Sequence, residues 1–288
     1  MSQLLNRAKR FFGTDTRGLL EGGRYALLHT RSMEFDDLRP YVPGDDVRDI
    51  DWKATARSGT VLIKRFVSEK HHKILLVADA GRNMSALAAG GEIKRDVATA
   101  ILGAFGLTTL GRSDEIGMVF GDVRGCVSIR AGRGETHIEG MLDQFYRHAA
   151  ATGPGPSNIE AQLQYVATHY RRRMLVVVVS DEPDVTGALD EVTGRLAARH
   201  DMLWVMVSDM PAVSGDVDGY DVATGAVVPN RTRLGRRVEV AYRRAEGRRR
   251  SRLEAFLTAH AIPFTTIGRS DEIRPRLTAL AEVFARAG

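Results

Sequence analysis

The chain has 288 residues, 43% of them hydrophobic, with 41 Lys and Arg against 36 Asp and Glu for a formal charge of +5. This composition excludes a disordered or fibrous chain and is long enough to bury the core of one large domain, or of one domain with a smaller companion. No apolar run approaches the roughly 20 residues of a membrane span, and a single cysteine, Cys126, forms no internal disulfide, which fits a reducing cytoplasm.

In chain order, Met1 to Phe12 mixes Arg7, Lys9 and Arg10 with Leu4, Leu5, Phe11 and Phe12. It lacks the continuous apolar core of a secretory signal and reads as a short amphipathic surface helix ending near Gly13. The stretch from Glu34 to Lys53 is dense in acids and punctuated by Pro40, Pro43 and Gly44, so Pro43-Gly44-Asp45 predicts a tight turn. A short helix is expected within 47–55 and a strand over 61–67. His71 and His72 are adjacent, hence on opposite faces of a strand, and make a poor metal pair.

From residue 73 the pattern becomes regular. Lys73 to Ala78 is an apolar run that ends at Asp79, and a helix is expected over 93–110. Strands follow at 116–120 and, antiparallel across a Gly121-Asp122 hairpin, at 127–130. Helices at 136–148 and 158–170 precede a second apolar run, Met174 to Val179, which leads into Ser180-Asp181-Glu182. Then come a helix over 185–199 and a strand over 203–207 that ends at Ser208-Asp209. A small hairpin insertion around 210–234, turning at Thr224-Gly225, breaks the rhythm. An Arg-rich helix over 238–260, a strand over 263–267 and a last helix opening at Ser270-Asp271-Glu272 complete the chain.

Apolar runs separated by helical patterns predict buried parallel strands in an α/β sheet with helices on both faces. Ligands of such sheets sit at the carboxyl ends of the strands. Asp79, Asp181 and Asp209 should therefore meet at one edge. The expected organisation is an accessory, β-containing segment at 1–72 and a main domain at 73–288.

Two sets of residues carry a family resemblance. Strand, Asp79, a long helix and a later strand ending in Ser180-Asp181 together resemble the von Willebrand factor A-like fold. The segment from Arg39-Pro40-Tyr41-Val42-Pro43-Gly44-Asp45-Asp46 through Arg48, Asp49-Ile50-Asp51-Trp52-Lys53 to Ala56-Arg57 resembles the signature of the bacterial domain-of-unknown-function family fifty-eight. The resemblance implies a Rossmann-like sheet and a magnesium site at its carboxyl edge. It also implies a chaperone-like partnership with MoxR-type AAA+ ATPases acting on a client protein. The magnesium pattern is incomplete. Asp79 and Asp181 match, but Gly81 and Asn83 stand where two serines belong, and Ser157-Asn158 stands where a threonine is expected. The implied ligands are Asp79, Asn83, Ser157, Asp181 and waters, and Asp79, Arg82, Asp181 and Asp209 are the candidate partner contacts.

Each feature has a plainer reading beside it. Asp79 and Asp181 can cap the backbone amides of the loops that follow them. The acids at 45–51 can pair locally, Asp46 or Asp49 with Arg48, Arg57 or Lys53, around a core Trp52. The arginines from 231 to 252 can be a solvated helix face or a surface for nucleic acid. No phosphate-binding Gly-rich loop, nucleophile elbow or zinc spacing is present in the sequence. The reading is a non-enzymatic binding protein. The rivals are a nucleic-acid binder and a metal-dependent hydrolase built on Asp79, Asp181 and Asp209.

Overall fold

The computed structural model describes residues 3–13, 33–43, 45–68, 73–110, 114–151, 153, 155–213 and 218–287. Gly44 of the expected turn and the His71-His72 pair lie outside them. The chain divides into two units, Met1–His29 with Lys73–Gly288, and Thr30–His72.

The larger unit is built on a six-stranded sheet. In chain order its strands are β3 (Lys73–Asp79), β4 (Glu115–Asp122), β5 (Gly125–Gly132), β6 (Leu175–Ser180), β7 (Asp201–Val207) and β10 (Phe264–Ile267); β1, β2, β8 and β9 lie in small two-stranded sheets. The spatial order is β10-β7-β6-β3-β4-β5. All neighbours are parallel except β4 and β5. Counting only these strands, the order runs 3-2-1-4-5-6, that of a doubly wound Rossmann-like sheet. The fold expected from the apolar runs is thus present. The turn between β4 and β5 falls on Val123 and Arg124, two residues beyond the expected Gly121-Asp122, because those two residues still pair, with Cys126 and Gly125.

Two apolar layers explain the run-like strands. Ile74, Leu76 and Ala78 of β3 face α3 (Lys94–Leu110), α4 (Glu135–Ala150) and α9 (Ile273–Ala287), whereas Leu75 and Val77 face α5 (Ile159–His169), α6 (Gly187–Ala197) and the end of α8 (Arg236–Ala259). A strand covered on both sides has no solvent face on which to place polar residues.

The N-terminal helix α1 (Gln3–Phe12) corrects the sequence expectation twice. It is neither a solvated surface helix nor part of an accessory piece. Leu5, Ala8 and Phe12 are buried in the larger unit's core. The first amides of α1, at Leu4 and Leu5, donate to the Glu139 carboxylate of α4 at 3.0 and 2.8 Å. These are the groups a helix start leaves unpaired. Lys9 adds an ion pair with Glu135 at 2.8 Å. Close approach to α3 is permitted by Gly103, where an added Cβ would stand 2.6 Å from the Ala8 Cβ.

The smaller unit holds a hairpin of β1 (Met33–Pro40) and β2 (Leu62–Ser68), antiparallel, with α2 (Trp52–Ser58) between them in sequence. The acids here do local work, as the plainer reading expects. Asp45 takes Arg39 in two bonds of 2.6 and 2.8 Å, Asp46 takes Arg48, and Asp51 caps α2 through the amides of Lys53 and Ala54. Trp52 departs from expectation. It is 66% exposed, since α2 buries none of its residues.

Gly103→Val should push α1 off α3. The expected cost is about 1–3 kcal/mol of overpacking strain, read as a lower urea midpoint with an unchanged slope.

Candidate functional site

The sheet order reverses between β3 and β6, which are adjacent in space but not in sequence. At such a switch point the loops leaving two neighbouring strands diverge and open a crevice. Asp79 ends β3 and Asp181 follows β6, so both acids stand at this crevice, as the sequence predicts.

Asp79 is fully buried. Its Oδ1 accepts the Gly81 amide at 2.9 Å, the local capping bond of the plainer reading. Its Oδ2 is buried without a hydrogen-bond partner. Burial, and next the charge of Asp181, push the Asp79 carboxyl up to about 7, against the pull of the Gly81 amide, the Ser157 hydroxyl and the Lys94 ammonium.

Asp181 makes no such cap. Its Oδ2 accepts from Asn83 Nδ2 at 2.6 Å and lies 3.9 Å from Lys94 Nζ. Lys94 is itself fully buried, and its Nζ donates to Asp209 Oδ1 at 2.5 Å. The loop before α3 folds back to make this contact. Ala88 bridges to Asp209, the Ala89 amide donates to the Ser208 carbonyl, and the Met210 amide donates to the Leu87 carbonyl. Two of the three rim carboxylates, Asp181 and Asp209, are therefore linked through one lysine, which sequence reasoning did not identify. A signal was available. Lys94 is the first residue of a helix that is apolar over most of its length, and a cation there opposes the helix dipole unless acids compensate it.

Ser157 lies where the threonine loop is expected. The loop is set by Asp122, which accepts from the Gly155 and Arg124 amides and the Arg124 guanidinium. The Arg82 amide donates to the Gly155 carbonyl at 2.8 Å. Ser157 Oγ then accepts the Asn83 amide at 3.3 Å, and Asn158 caps α5. Arg82 points to the insertion, donating to the Ala223 carbonyl at 3.3 Å. The small hairpin is there, as β8 (Gly219–Tyr220) and β9 (Val227–Val228).

The far wall comes from α8. Its inward stripe is Glu239, Tyr242, Glu246 and Arg249, before the apolar Leu253, Phe256 and Leu257. Arg249 donates to the Glu182 carbonyl at 2.5 Å and to its carboxylate at 3.1 Å, and Arg250 reaches the same carboxylate at 3.2 Å. Burial pushes the Glu182 carboxyl up even so, against Arg250 and Arg249. Ser180 braces the Asp181 loop: its hydroxyl accepts from the Trp204 indole and donates to the Asp181 carbonyl. Between these walls lies a groove of about 580 Å³, lined among others by Asn83, Ser157, Asp181, Asp184, Asp209 and Arg249.

The profile of the family described as "Protein of unknown function DUF58" matches residues 37–252, about three quarters of the chain. The chain belongs to that family. Among curated proteins it is similar to the uncharacterized protein Rv1480 of Mycobacterium tuberculosis and to Mb1516 of Mycobacterium bovis, each 27% identical over 164 residues. That alignment covers 57% of this chain and 51% of theirs, so the chain spans about half the length of the curated relatives it matches. Among solved structures, it resembles an aerotolerance-related membrane protein from Bacteroides fragilis (12% identity, 75% of this chain and 99% of that one, TM-score 0.48). BatB from Bacteroides thetaiotaomicron (13%, 75% and 99%, 0.45) and a von Willebrand factor type A protein from Catenulispora acidiphila (9%, 78% and 44%, 0.42) are similar in the same way. Among the described residues, no helix is long and apolar enough to cross a membrane.

The magnesium ion implied by the resemblance can be tested against these side chains. One feature fits it, the orphaned Asp79 Oδ2. The rest do not. Magnesium demands near-octahedral oxygen ligands, but Asn83 turns its amide nitrogen to Asp181, the orientation that avoids setting an oxygen against a carboxylate. Gly81 has no oxygen and cannot gain one, since a Cβ there would stand 2.5 Å from Ser157 Cα. Lys94 already places a positive charge beside both Asp181 and Asp209. Among the described residues, no three acidic, imidazole or thiol groups converge to hold a metal.

The raised carboxyl of Asp79 has a pH consequence. The folded chain binds a proton that the unfolded chain releases near pH 4, so this group's contribution is full below about pH 4 and is lost as pH rises through about 7. Between those limits wild-type stability should fall by up to about 1.4 kcal/mol per pH unit relative to Asp79→Asn. Paired urea titrations at several pH values measure the difference, and parallel curves would assign the proton elsewhere.

Proposed function

We propose that this chain is a non-enzymatic, protein-binding adaptor of co-chaperone type. Its partners would be a MoxR-type AAA+ ATPase and a client, gripped at the carboxyl-edge groove. The observation that carries this reading is the groove at the β3–β6 switch point, where open α/β sheets take their ligands. A lining of charged side chains suits a polar protein segment better than an apolar small molecule. Catalysis is less well supported. Asp181 and Asp209 are engaged by Lys94, and Glu182 by Arg249 and Arg250, which leaves these acids poorly placed as a general base. The ATPase partnership rests on the family resemblance and is part of the proposal.

Asp184 is an exposed acid at the groove that supports none of the contacts described. Asp184→Lys should weaken retention of the ATPase from a lysate of the protein's own host by roughly tenfold, through like charge or a lost pair. Equal recovery by wild type and variant would move the gripping surface elsewhere.

A second reading rests on the outer face of α8. Arg237, Arg244, Arg248 and Arg252 are exposed, share one side of the helix and make no ion pair among the described residues. Were they a nucleic-acid surface, the logarithm of the binding constant would fall with that of salt at a slope of about −3.6, at about 0.9 per phosphate contact on duplex DNA. A flat response in a fluorescence titration removes this reading.

A further inference from the structure

We propose that the Lys94 ammonium stands in for the divalent cation at the sheet's carboxyl edge, so that the rim carboxylates are held by a side chain and the site works without metal. The inference goes beyond the adaptor reading and survives its failure, since it concerns the chain's own charges and not its partner.

A buried ammonium is tolerated only with charged or strongly polar acceptors around it. Here the acceptors are Asp209 at 2.5 Å and Asp181 at 3.9 Å. Asp79 also feels the ammonium, which pulls its proton affinity down. One side chain therefore does for Asp181 and Asp209 what a bridging ion does for its ligands. The backbone is arranged to hold it. The Lys94 amide donates to the Ala86 carbonyl at 2.9 Å, and the Ala88 amide to the Glu92 carbonyl at 2.7 Å, which turns the 86–93 loop back over the strand ends. The same region blocks the ligand it lacks, because the Gly81 backbone packs against Ser157 too closely for a side chain. Asp79 Oδ2 remains a buried oxygen with no partner, a ligand position that the ammonium neutralises only at a distance.

The consequence is specific. Removing the ammonium while freeing its volume should open its place to a hard divalent cation, with Asp181 and Asp209 as oxygen donors and water completing the shell. Lys94→Ser does both. Lys94→Met removes the charge but fills the space. Any protein contact with the rim then meets carboxylates directly, with no ion between.

Two measurements on the full chain test this. In the first, manganese is titrated into isotope-labelled protein and broadening of the Asn83 side-chain amide resonance is followed. In the second, thermal unfolding is compared in EDTA and in magnesium. Wild type should show no selective broadening at Asn83 at about 1 mM manganese, and the same Tm in both buffers. Lys94→Ser should unfold earlier in EDTA, regain about 3 °C or more in about 10 mM magnesium, and broaden at Asn83. Lys94→Met should unfold earlier and gain nothing from magnesium. Selective broadening at Asn83 in wild type overturns the proposal, and so does a folded Lys94→Ser that ignores both cations. Should Lys94→Ser fold in neither buffer, the wild-type titration decides alone, silence at Asn83 supporting the proposal and broadening overturning it.

Discussion

Two carboxylates placed at the meeting point of two buried strand ends repel each other and lose their water. The arrangement of the carboxyl edge follows from how that is compensated. Lys94 enters from the start of α3 and links Asp181 to Asp209. Asp79, deeper and with one oxygen unpaired, responds by holding its proton to higher pH. The 86–93 loop, the end of β7 and the approach of Ser157 to Gly81 are all shaped around this cluster.

The same logic organises α8. A helix so rich in arginine looks, along the sequence, like one continuous basic surface. Folded, it has two electrostatic faces. The inner one spends Arg249 and Arg250 on the buried Glu182 and becomes a wall of the groove. The outer one keeps its arginines in water, where their charge acts on whatever approaches. Only the C-terminal end of the helix, from Leu253 onward, packs as ordinary core. Upstream of Leu253 the helix is tied to its surroundings by polar contacts, Arg249 and Arg250 to Glu182 and the Ala212 amide to the Tyr242 hydroxyl.

Much of the fold was legible because a sheet covered on both faces leaves a plain mark. Every residue of Ile74 to Ala78 and of Leu175 to Val179 must be apolar, and the acids appear only where the strands emerge. β1 was less legible. Its Glu34, Asp36 and Asp37 hide the alternation that identifies a strand. The placement of α1 was illegible for another reason. Three apolar residues on one face demand a cover but do not say which, and only the small residue at Gly103 opposite Ala8 resolves it.

By itself the sequence determined the α/β class, the strand ends that carry acids, and the family to which the chain belongs. Each depends on periodicity or on a contiguous motif, and both survive without coordinates. Tertiary structure decided the rest. It joined Asp79, Asn83, Ser157, Asp181 and Asp209 across more than a hundred residues of chain, sent α1 into the core, and brought Lys94 into the place where a cation is expected. The physical reason is that burial and pairing of charge depend on distances between elements far apart along the chain. A lysine at position 94 reads as solvated until the fold closes over it.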